Sequence, residues 1–306
     1  MFGESSKYAV VTGAFSYTGK YVTRTLLQRG YKVRTLTAHL GRPNDFGPAV
    51  QAFPYNFEQP DELRRSLDGA SILINTYWVR FNRGRSTFAS AIHNTKTLFN
   101  AAKSAGVERI VHVSIANPAL NSRLAYYHGK AVLEGALVEL GVPHSIVRPT
   151  VIFGREDILI NNIAWFVRKF PVFAIPGDGK YRIRPIYVED MAALLANAAE
   201  QEGNHIVDAV GPETFAFEEL VRTIAANIGR SPAIVYLPAT IAYAATTIVG
   251  GFVGDIILTK QEYEGLMDGL LAPSGPATGQ TRLGDWLAAN RDRLGVKYAS
   301  EVARHF

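Results

Sequence analysis

The chain contains no cysteine in its 306 residues. This absence excludes disulfides, zinc–thiolate sites, iron–sulfur clusters and a thiol nucleophile. A cysteine-free sequence fits a reducing compartment, and we expect a cytoplasmic location. The first ten residues, MFGESSKYAV, also lack the basic flank and long apolar core of a signal peptide.

Concentrated charge is scarce as well. The 32 basic and 27 acidic residues give a net charge of +5, and the basic ones form only short clusters, such as Arg80, Arg83 and Arg85. Such a cluster is either a solvated face or a site for an anionic ligand. No basic stripe runs along the chain, so we expect no nucleic-acid partner, and an RNA-associated role is the least favoured reading. The seven histidines show no metal-ligand spacing, and we expect no metal site.

One long stretch lacks charge altogether, Pro238–Gly254. It is shorter than the roughly 20 residues that a membrane span needs, and the pair Gly250-Gly251 weakens a helix there. We expect a buried or dimer-interface helix, which predicts that a charge at Ile248 makes the protein monomeric. Membrane-surface contact and a span are the alternatives.

Apolar runs of strand length recur in the first half, with helical patterns between them. The predicted strands are Tyr8–Thr12, Lys32–Thr37, Val50–Phe53, Ile72–Asn75, Ile110–Ser114 and Ser145–Arg148. Alternation of strands and helices implies crossover connections and a parallel sheet. We therefore predict an α/β fold: a doubly wound parallel sheet over residues 1–150, and a smaller, mainly α substrate lobe over residues 151–306 that returns some elements to the core.

The segment VTGAFSYTGKYV, residues 11–22, places two glycines between the first strand and a predicted helix. Backbone N–H groups at such a helix start bind a pyrophosphate, helped by the helix dipole. The middle glycine of the usual dinucleotide-binding motif is replaced by Ser16, whose hydroxyl could also donate to a phosphate. The predicted cradle is Gly13, Ala14, Phe15, Ser16 and Gly19; the alternative is an ordinary strand-to-helix turn.

The end of the second strand distinguishes the cofactors. An acidic residue there binds the ribose hydroxyls of NAD, whereas a basic one accommodates the extra phosphate of NADP. The sequence Thr37-Ala38-His39 has no acid, and Arg42 follows. We predict NADP, with NAD as second choice, held by His39 and Arg42, although Arg42 could equally be a solvent-facing arginine. Asn56 follows the third strand and either contacts the adenine or caps a turn.

Tyr126 and Lys130 lie four residues apart on a predicted helix and therefore share a face. A neighbouring ammonium stabilises a phenolate, so the pair can exchange a proton with a substrate hydroxyl or carbonyl near neutral pH. Ser114 ends the preceding strand and could hydrogen-bond the same oxygen. Tyr127 is a rival for the role of Tyr126, and without context such a pair is more often an exposed helix pair.

Three further residues follow the fourth strand, where a substrate would lie: Tyr77, Trp78 and Arg80. Their aromatic character favours an apolar substrate, although packing against the second lobe would explain it equally.

Four motifs occur in a fixed order: TGAxxxxG, YxxxK, RPTVIFG (residues 148–154) and IYVEDMA (residues 186–192). Together they resemble the short-chain dehydrogenase/reductase superfamily, in its atypical and extended branch, over about residues 7–200. That branch includes epimerase-like enzymes of sugar nucleotides, regulator-like proteins with degenerate glycine loops, and the NADPH-binding accessory subunit of respiratory complex I. The resemblance implies a Rossmann fold, a nicotinamide cofactor, Tyr126 as acid/base and Lys130 on the nicotinamide ribose.

We therefore expect an NAD(P)-dependent oxidoreductase or epimerase-like enzyme that acts on a hydroxyl or carbonyl of a small, apolar substrate. The alternative is an NADP(H)-binding sensor or assembly subunit without turnover. The expected partners are a small-molecule substrate and a second copy of the chain.

Overall fold

The structure is a computed structural model that describes residues 7–238, 241, 255 and 259–300. It divides into two compact units. The first comprises residues 7–149 and 188–208, and the second comprises residues 150–187 and the described residues from 209 onwards. All but two residues of the uncharged stretch Pro238–Gly254, including Ile248, lie outside the described residues.

The first unit alternates strands and helices along the chain. Its strands are β1 (Tyr8–Thr12), β2 (Lys32–Thr37), β3 (Val50–Pro54), β4 (Ile72–Asn75), β5 (Arg109–Val113), β6 (His144–Pro149) and, later in the chain, β11 (His205–Ala209). Its helices are α1 (Tyr17–Gln28), α2 (Pro60–Leu67), α3 (Phe88–Ser104), α4 (Ala125–Leu140) and α6 (Val188–Glu200).

Within the described residues these strands form one seven-stranded sheet in the order β11-β6-β5-β4-β1-β2-β3. The pairs from β1 to β6 are parallel. The predicted α/β, Rossmann-like doubly wound sheet is confirmed. The chain winds outward from β1 in both directions, so the crevice at the carboxyl ends of β1 and β4 is where such sheets bind ligands.

The central strands are apolar because they are covered on both faces. All four residues of β4 are buried, as are four of the five in β1. The core on one side of the sheet joins Leu36 and Leu73 to Leu63, Leu98 and Phe99 from the helices.

The second unit has short strands and helices around its own core. The strands are β7 (Ile152–Phe153), β8 (Val172–Pro176), β9 (Arg182–Ile183), β10 (Ile186–Tyr187), β12 (Phe215–Ala216) and β13 (Ala233–Leu237), and the helices are α5 (Leu159–Lys169), α7 (Phe217–Asn227), α8 (Lys260–Met267) and α9 (Leu283–Asn290). Its strands pair two by two: β10 with β7, β12 with β9, and β13 with β8. Among the residues that the structure describes, no helix combines the length and the apolarity that crossing a bilayer requires.

Candidate functional site

The glycine loop connects β1 directly to α1 and is fixed to β2. The Gly13 N–H donates to the Leu36 carbonyl at 2.8 Å, and the Ala14 N–H donates to Thr35 Oγ1 at 2.9 Å. Thr35 Oγ1 donates in turn to the Val11 carbonyl at 2.8 Å. Hydrogen bonds to β2 thus fix the first two loop residues before α1 begins.

Both glycines are required by the geometry of the turn. Gly13 has a φ of +66°, in the left-handed region that favours glycine. A Cβ on Gly19 would lie 2.0 Å from the Gly13 carbonyl oxygen, so only glycine lets α1 approach β1 this closely. The first amides of α1 have no intrahelical acceptors, and they point out of the helix start beside Phe15 and Ser16. The loop therefore fits a bound pyrophosphate.

The Ser16 side chain is engaged inside the loop. Its hydroxyl donates to the Gly13 carbonyl at 2.6 Å, and its N–H donates to the same carbonyl at 2.8 Å. The hydroxyl proton thus holds the turn together, and the Ser16 side chain offers a phosphate no second proton.

A cavity of about 200 Å³ lies between this loop and the segment after β2. Its lining residues are Phe15, Lys20, Arg42, Pro43, Asn44, Asp45 and Phe46. The Phe15 and Phe46 rings stack with their centroids 6.5 Å apart, which joins the two segments. Asn44 Oδ1 accepts the Phe46 N–H at 2.9 Å and so shapes the second segment. Sequence reasoning identified Phe15 and Arg42 but missed Lys20, whose positive charge in the first turn of α1, unfavourable to the helix dipole, was an available signal.

The other two residues predicted at this end lie in turns. His39 is exposed; its N–H donates to Thr37 Oγ1 at 3.1 Å, and its carbonyl accepts the Arg42 N–H at 3.2 Å. Asn56 has a φ of +45°, and its carbonyl accepts the Gln59 N–H at the turn that leads to α2. Contact of either side chain with the cofactor stays a prediction.

Tyr126 and Lys130 both lie on α4 and contact Trp78. The ring of Tyr126 meets Trp78 edge-on at 5.5 Å and Phe88 edge-on at 5.9 Å. Lys130 Nζ lies 4.5 Å from the centroid of the Trp78 ring, within the range of a cation–π interaction. A Cβ on Gly129 would lie 3.0 Å from Trp78, so Trp78 packs directly on α4. Trp78 thus contacts both members of the predicted pair.

Lys130 is a buried ammonium. Only 2% of the residue is exposed, and Nζ donates to the Val113 carbonyl at 2.8 Å. Burial lowers the pKa of Lys130 to about 7, although the carboxylate of Glu134 acts in the opposite direction. A group that titrates near pH 7 inside an aromatic environment is suited to proton-transfer chemistry.

Ser114 directly follows β5 and is 3% exposed. Its N–H continues the ladder to the Val147 carbonyl at 2.8 Å, and its buried Oγ has no hydrogen-bond partner within the described part of the chain. Trp78 Nε1 is a second such buried atom. Buried polar groups are normally paired, so these two atoms fit a site that pairs them with a ligand. Tyr127, the rival of Tyr126, is 4% exposed, whereas Tyr126 is half-buried and accessible.

The three residues predicted to contact the substrate, Tyr77, Trp78 and Arg80, lie in different surroundings. Trp78 lies with Tyr126 and Lys130, as described. Tyr77 instead packs in an aromatic cluster, 5.0 Å from both Tyr55 and Phe57, and its hydroxyl accepts from Asn94 Nδ2 at 3.0 Å. Arg80 is half-buried two residues beyond Trp78.

A buried polar chain that sequence reasoning missed holds this region in place. Thr12 Oγ1 accepts the N–H groups of Thr76 and Tyr77 at 2.7 and 2.9 Å and donates to Asn75 Oδ1 at 3.0 Å. Asn75 Nδ2 lies 3.0 Å from His112 Nδ1. Burial and the nearby Lys130 ammonium both lower the pKa of His112, so the imidazole is neutral and its Nδ1 accepts a hydrogen bond from Asn75 Nδ2. A single sequence offers no signal for this chain of contacts, because its members come from three separate strands.

The start of the RPTVIFG motif fixes the back of α4. Arg148 makes two hydrogen bonds to Glu134, Nε to Oε1 at 2.9 Å and Nη2 to Oε2 at 2.5 Å. Hydrogen bonding to Glu134 raises the pKa of Arg148. This pair joins β6 to the helix that carries Tyr126 and Lys130.

Comparison with known proteins shows what these features are similar to. Residues 13–158 match a family model described as NAD(P)H-binding. The chain is similar to NADH dehydrogenase [ubiquinone] 1 alpha subcomplex subunit 9, mitochondrial: 27% identical over 250 residues to that of Arabidopsis thaliana and 30% identical over 224 residues to that of Rattus norvegicus. These alignments cover 77% and 70% of this chain, but only 61% and 57% of the relatives. The chain thus spans about 60% of the length of these relatives.

Among solved structures, the chain is similar to the triphenylmethane reductase of Citrobacter sp. The TM-score is 0.79 at 15% identity, over 93% of this chain and 99% of the reductase. The same reductase complexed with NADP(H) gives a TM-score of 0.73 at 16% identity, over 93% and 99% of the two chains. At this identity the likeness establishes the fold alone. Residues 13–158 therefore form an NAD(P)H-binding domain, and the fold and motif order of the chain fit the extended, atypical branch of the short-chain dehydrogenase/reductase superfamily.

Proposed function

We propose that the chain is an NADP(H)-dependent oxidoreductase or epimerase-like enzyme that acts on a hydroxyl or carbonyl of a small, apolar substrate in the cytoplasm. The observation that carries the proposal is the contact of Trp78 with both Tyr126 and Lys130, together with the buried Ser114 Oγ, which has no hydrogen-bond partner among the described residues. Trp78 and Ser114 follow the carboxyl ends of β4 and β5, Tyr126 and Lys130 lie on α4, and all four belong to the same unit as the glycine loop.

The cofactor preference rests on the cavity beside the glycine loop. Lys20 and Arg42 bring two positive charges to it and Asp45 brings one negative charge, so its lining is net positive. A cavity of about 200 Å³ is smaller than a whole ligand site of roughly 300–1,000 Å³ and suits one end of a dinucleotide. A ribose phosphate there would pair with Arg42 or Lys20, which favours NADP over NAD.

Residues of α4 carry out the proposed proton transfer. When bound, the nicotinamide supplies or accepts the hydride. The hydroxyl of Tyr126 gives a proton to the substrate oxygen in reduction, and the Tyr126 phenolate takes the proton of the substrate hydroxyl in oxidation. The Lys130 ammonium lies on the same helix face and favours the phenolate electrostatically. The buried Oγ of Ser114 donates a hydrogen bond to the same substrate oxygen, and the rings of Trp78 and Phe88 exclude water around the phenol.

A second candidate function is cofactor binding without turnover, as in a sensor or a subunit of an assembly. One observation favours it: the Lys130 ammonium already has a carbonyl partner and an aromatic face, so the group is satisfied without a substrate. The Arabidopsis thaliana and Rattus norvegicus relatives are named as subunits, which also favours a protein partner.

One assay separates the two functions. The purified protein is incubated with NADPH and a panel of aldehydes, ketones and quinones, and oxidation is followed by the loss of nicotinamide absorbance. The enzyme function predicts turnover that Tyr126→Phe abolishes while NADPH affinity stays within about twofold. Tight binding of NADPH without turnover on any member of the panel, unchanged in Tyr126→Phe, would establish the second function instead.

A further inference from the structure

The second unit carries an apolar sheet face that the proposed function does not use. Strands β8 and β13 pair in parallel and in register, Val172 with Ala233 and Ala174 with Val235. These four residues share one face and are exposed, Val172 at 48% and Val235 at 42%. Phe170, two residues before β8, is exposed at 49%.

Exposed and covered residues alternate over the first part of both strands, Val172–Ile175 and Ala233–Val235, and the exposed positions there are apolar; towards the end of the pair Pro176 is buried and Tyr236 is exposed. Phe173 and Ile234 point the other way and pack on the core of the second unit, where Ile175 is fully buried. A sheet with one face on a core normally presents polar residues on the other, and here the outer positions are two valines and two alanines. Such a face indicates a contact with an apolar surface.

Basic residues lie at one end of this face. Lys169 precedes β8 by three residues and Arg230 precedes β13 by three residues, in the segments KFPV and RSPA. Because the strands are parallel and the Ala233 N–H donates to the Pro171 carbonyl at 2.9 Å, both segments begin at the same end of the pair. Lys169 and Arg230 are exposed. At the opposite end Asp178 and Lys180 offset each other in charge.

We propose that this face, defined by Phe170, Val172, Ala174, Ala233 and Val235 with Lys169 and Arg230 at its edge, binds the surface of an anionic lipid bilayer. Small apolar side chains beside an aromatic ring enter the boundary between headgroups and acyl chains, while the two cations pair with anionic headgroups. A second copy of the chain is the less favoured occupant, because five side chains are far fewer than the roughly 20–30 residues a side of a stable protein interface.

Vesicle flotation tests the proposal on the full chain. Vesicles of equal parts phosphatidylcholine and phosphatidylglycerol should carry the protein upward, and vesicles of phosphatidylcholine alone should carry much less. Val172→Glu places a charge in the centre of the face and should lower partitioning by at least about tenfold. Val138→Glu is the matched control, since Val138 is a valine exposed at 52% on α4 in the first unit.

The electrostatic half is tested separately. Lys169→Glu should weaken binding to the anionic vesicles by about fivefold or more, and added salt should reduce that difference. Lys96→Glu, at an exposed lysine of α3, makes the same change in net charge and should have a much smaller effect. Thermal unfolding of each variant shows whether it is folded.

Three outcomes would overturn the proposal. The first is absence of binding to either vesicle. The second is binding that folded Val172→Glu retains. The third is a dimer, seen by sedimentation without lipid, that Val172→Glu dissociates, since the face would then join two copies. None of these outcomes bears on nucleotide binding, which the first unit provides.

Discussion

The two ends of the predicted cofactor site, both in the first unit, rely on different physics. At the glycine loop the backbone would bind the cofactor. Gly13 and Gly19 set the turn, and the neighbouring charges of Lys20 and Arg42 face a solvent-accessible cavity. At α4 the side chains would carry out the proton transfer. Lys130 is buried under Trp78, and burial lowers its pKa to about 7. Affinity should therefore depend on the first end and turnover on the second.

Replacing the phenol should give the largest effect. Tyr126→Phe removes the proton donor and should lower kcat by roughly 10²–10⁴-fold, with NADPH affinity nearly unchanged. Steady-state kinetics with a carbonyl compound that the protein reduces gives kcat, and fluorescence titration gives the NADPH affinity. Tyr127→Phe is the control, since Tyr127 is buried beside it. Equal loss of activity in the two variants would show that the assignment to Tyr126 is wrong.

Adding one methyl group at Gly19 should lower cofactor affinity, because it disturbs the glycine loop. Gly19→Ala forces a Cβ against the Gly13 carbonyl, and strain of this kind costs roughly 1–3 kcal/mol in stability. NADPH affinity should fall by about tenfold or more, because the helix start moves away from the pyrophosphate. Gly135→Ala adds the same methyl in α4, where no described atom beyond the adjacent helix backbone and chain neighbours lies within 4 Å, and it should stabilise the protein slightly. If both variants bind NADPH like the original chain, the cradle is not at this loop.

The buried lysine should make stability depend on pH. Its pKa is about 7 in the folded chain and near 10.4 when unfolded, so the unfolded state holds one more proton between these values. The free energy of unfolding should then rise with pH across that window, by up to about 1.4 kcal/mol per pH unit from this group. Urea unfolding of the original chain and of Lys130→Met is measured at several pH values. The difference between their free energies of unfolding gives the contribution of the lysine. Parallel curves for the two proteins would contradict a depressed pKa.

The smallest expected effect is a change in the preference for NADPH over NADH. Arg42→Ala should weaken NADPH binding by about tenfold and leave NADH binding nearly unchanged, because only NADPH carries the extra ribose phosphate with which the guanidinium would pair. Lys20→Ala tests the second cation of the cavity in the same way. Equal affinities for the two cofactors before and after Arg42→Ala would refute a phosphate site at this arginine.

Sequence periodicity predicted the fold well because the central strands are buried on both faces. The predicted bounds of β1, β2 and β4 agree with the structure residue for residue, and β5 differs by one residue at each end. The glycine loop was readable because positive φ and close packing require a specific residue type at each position.

Other parts of the site could not be read in advance. The partner of the Ser16 hydroxyl is a carbonyl three residues earlier, which depends on the exact turn. Tyr77 and Trp78 are adjacent in sequence, yet one packs with Tyr55 and the other covers Lys130, because successive residues beyond a strand point to different sides. The Thr12–Asn75–His112 contacts join three strands that only the folded sheet brings together.

The central claim is that the glycine loop and the cavity beside it bind a dinucleotide, and titration calorimetry of the full chain with NADPH and with NADH tests it most directly. The account predicts a saturable heat with NADPH, weaker binding of NADH, and NADPH affinity that falls by about tenfold or more in Gly19→Ala but not in Gly135→Ala. Absence of heat and of any thermal stabilisation with either nucleotide would contradict it.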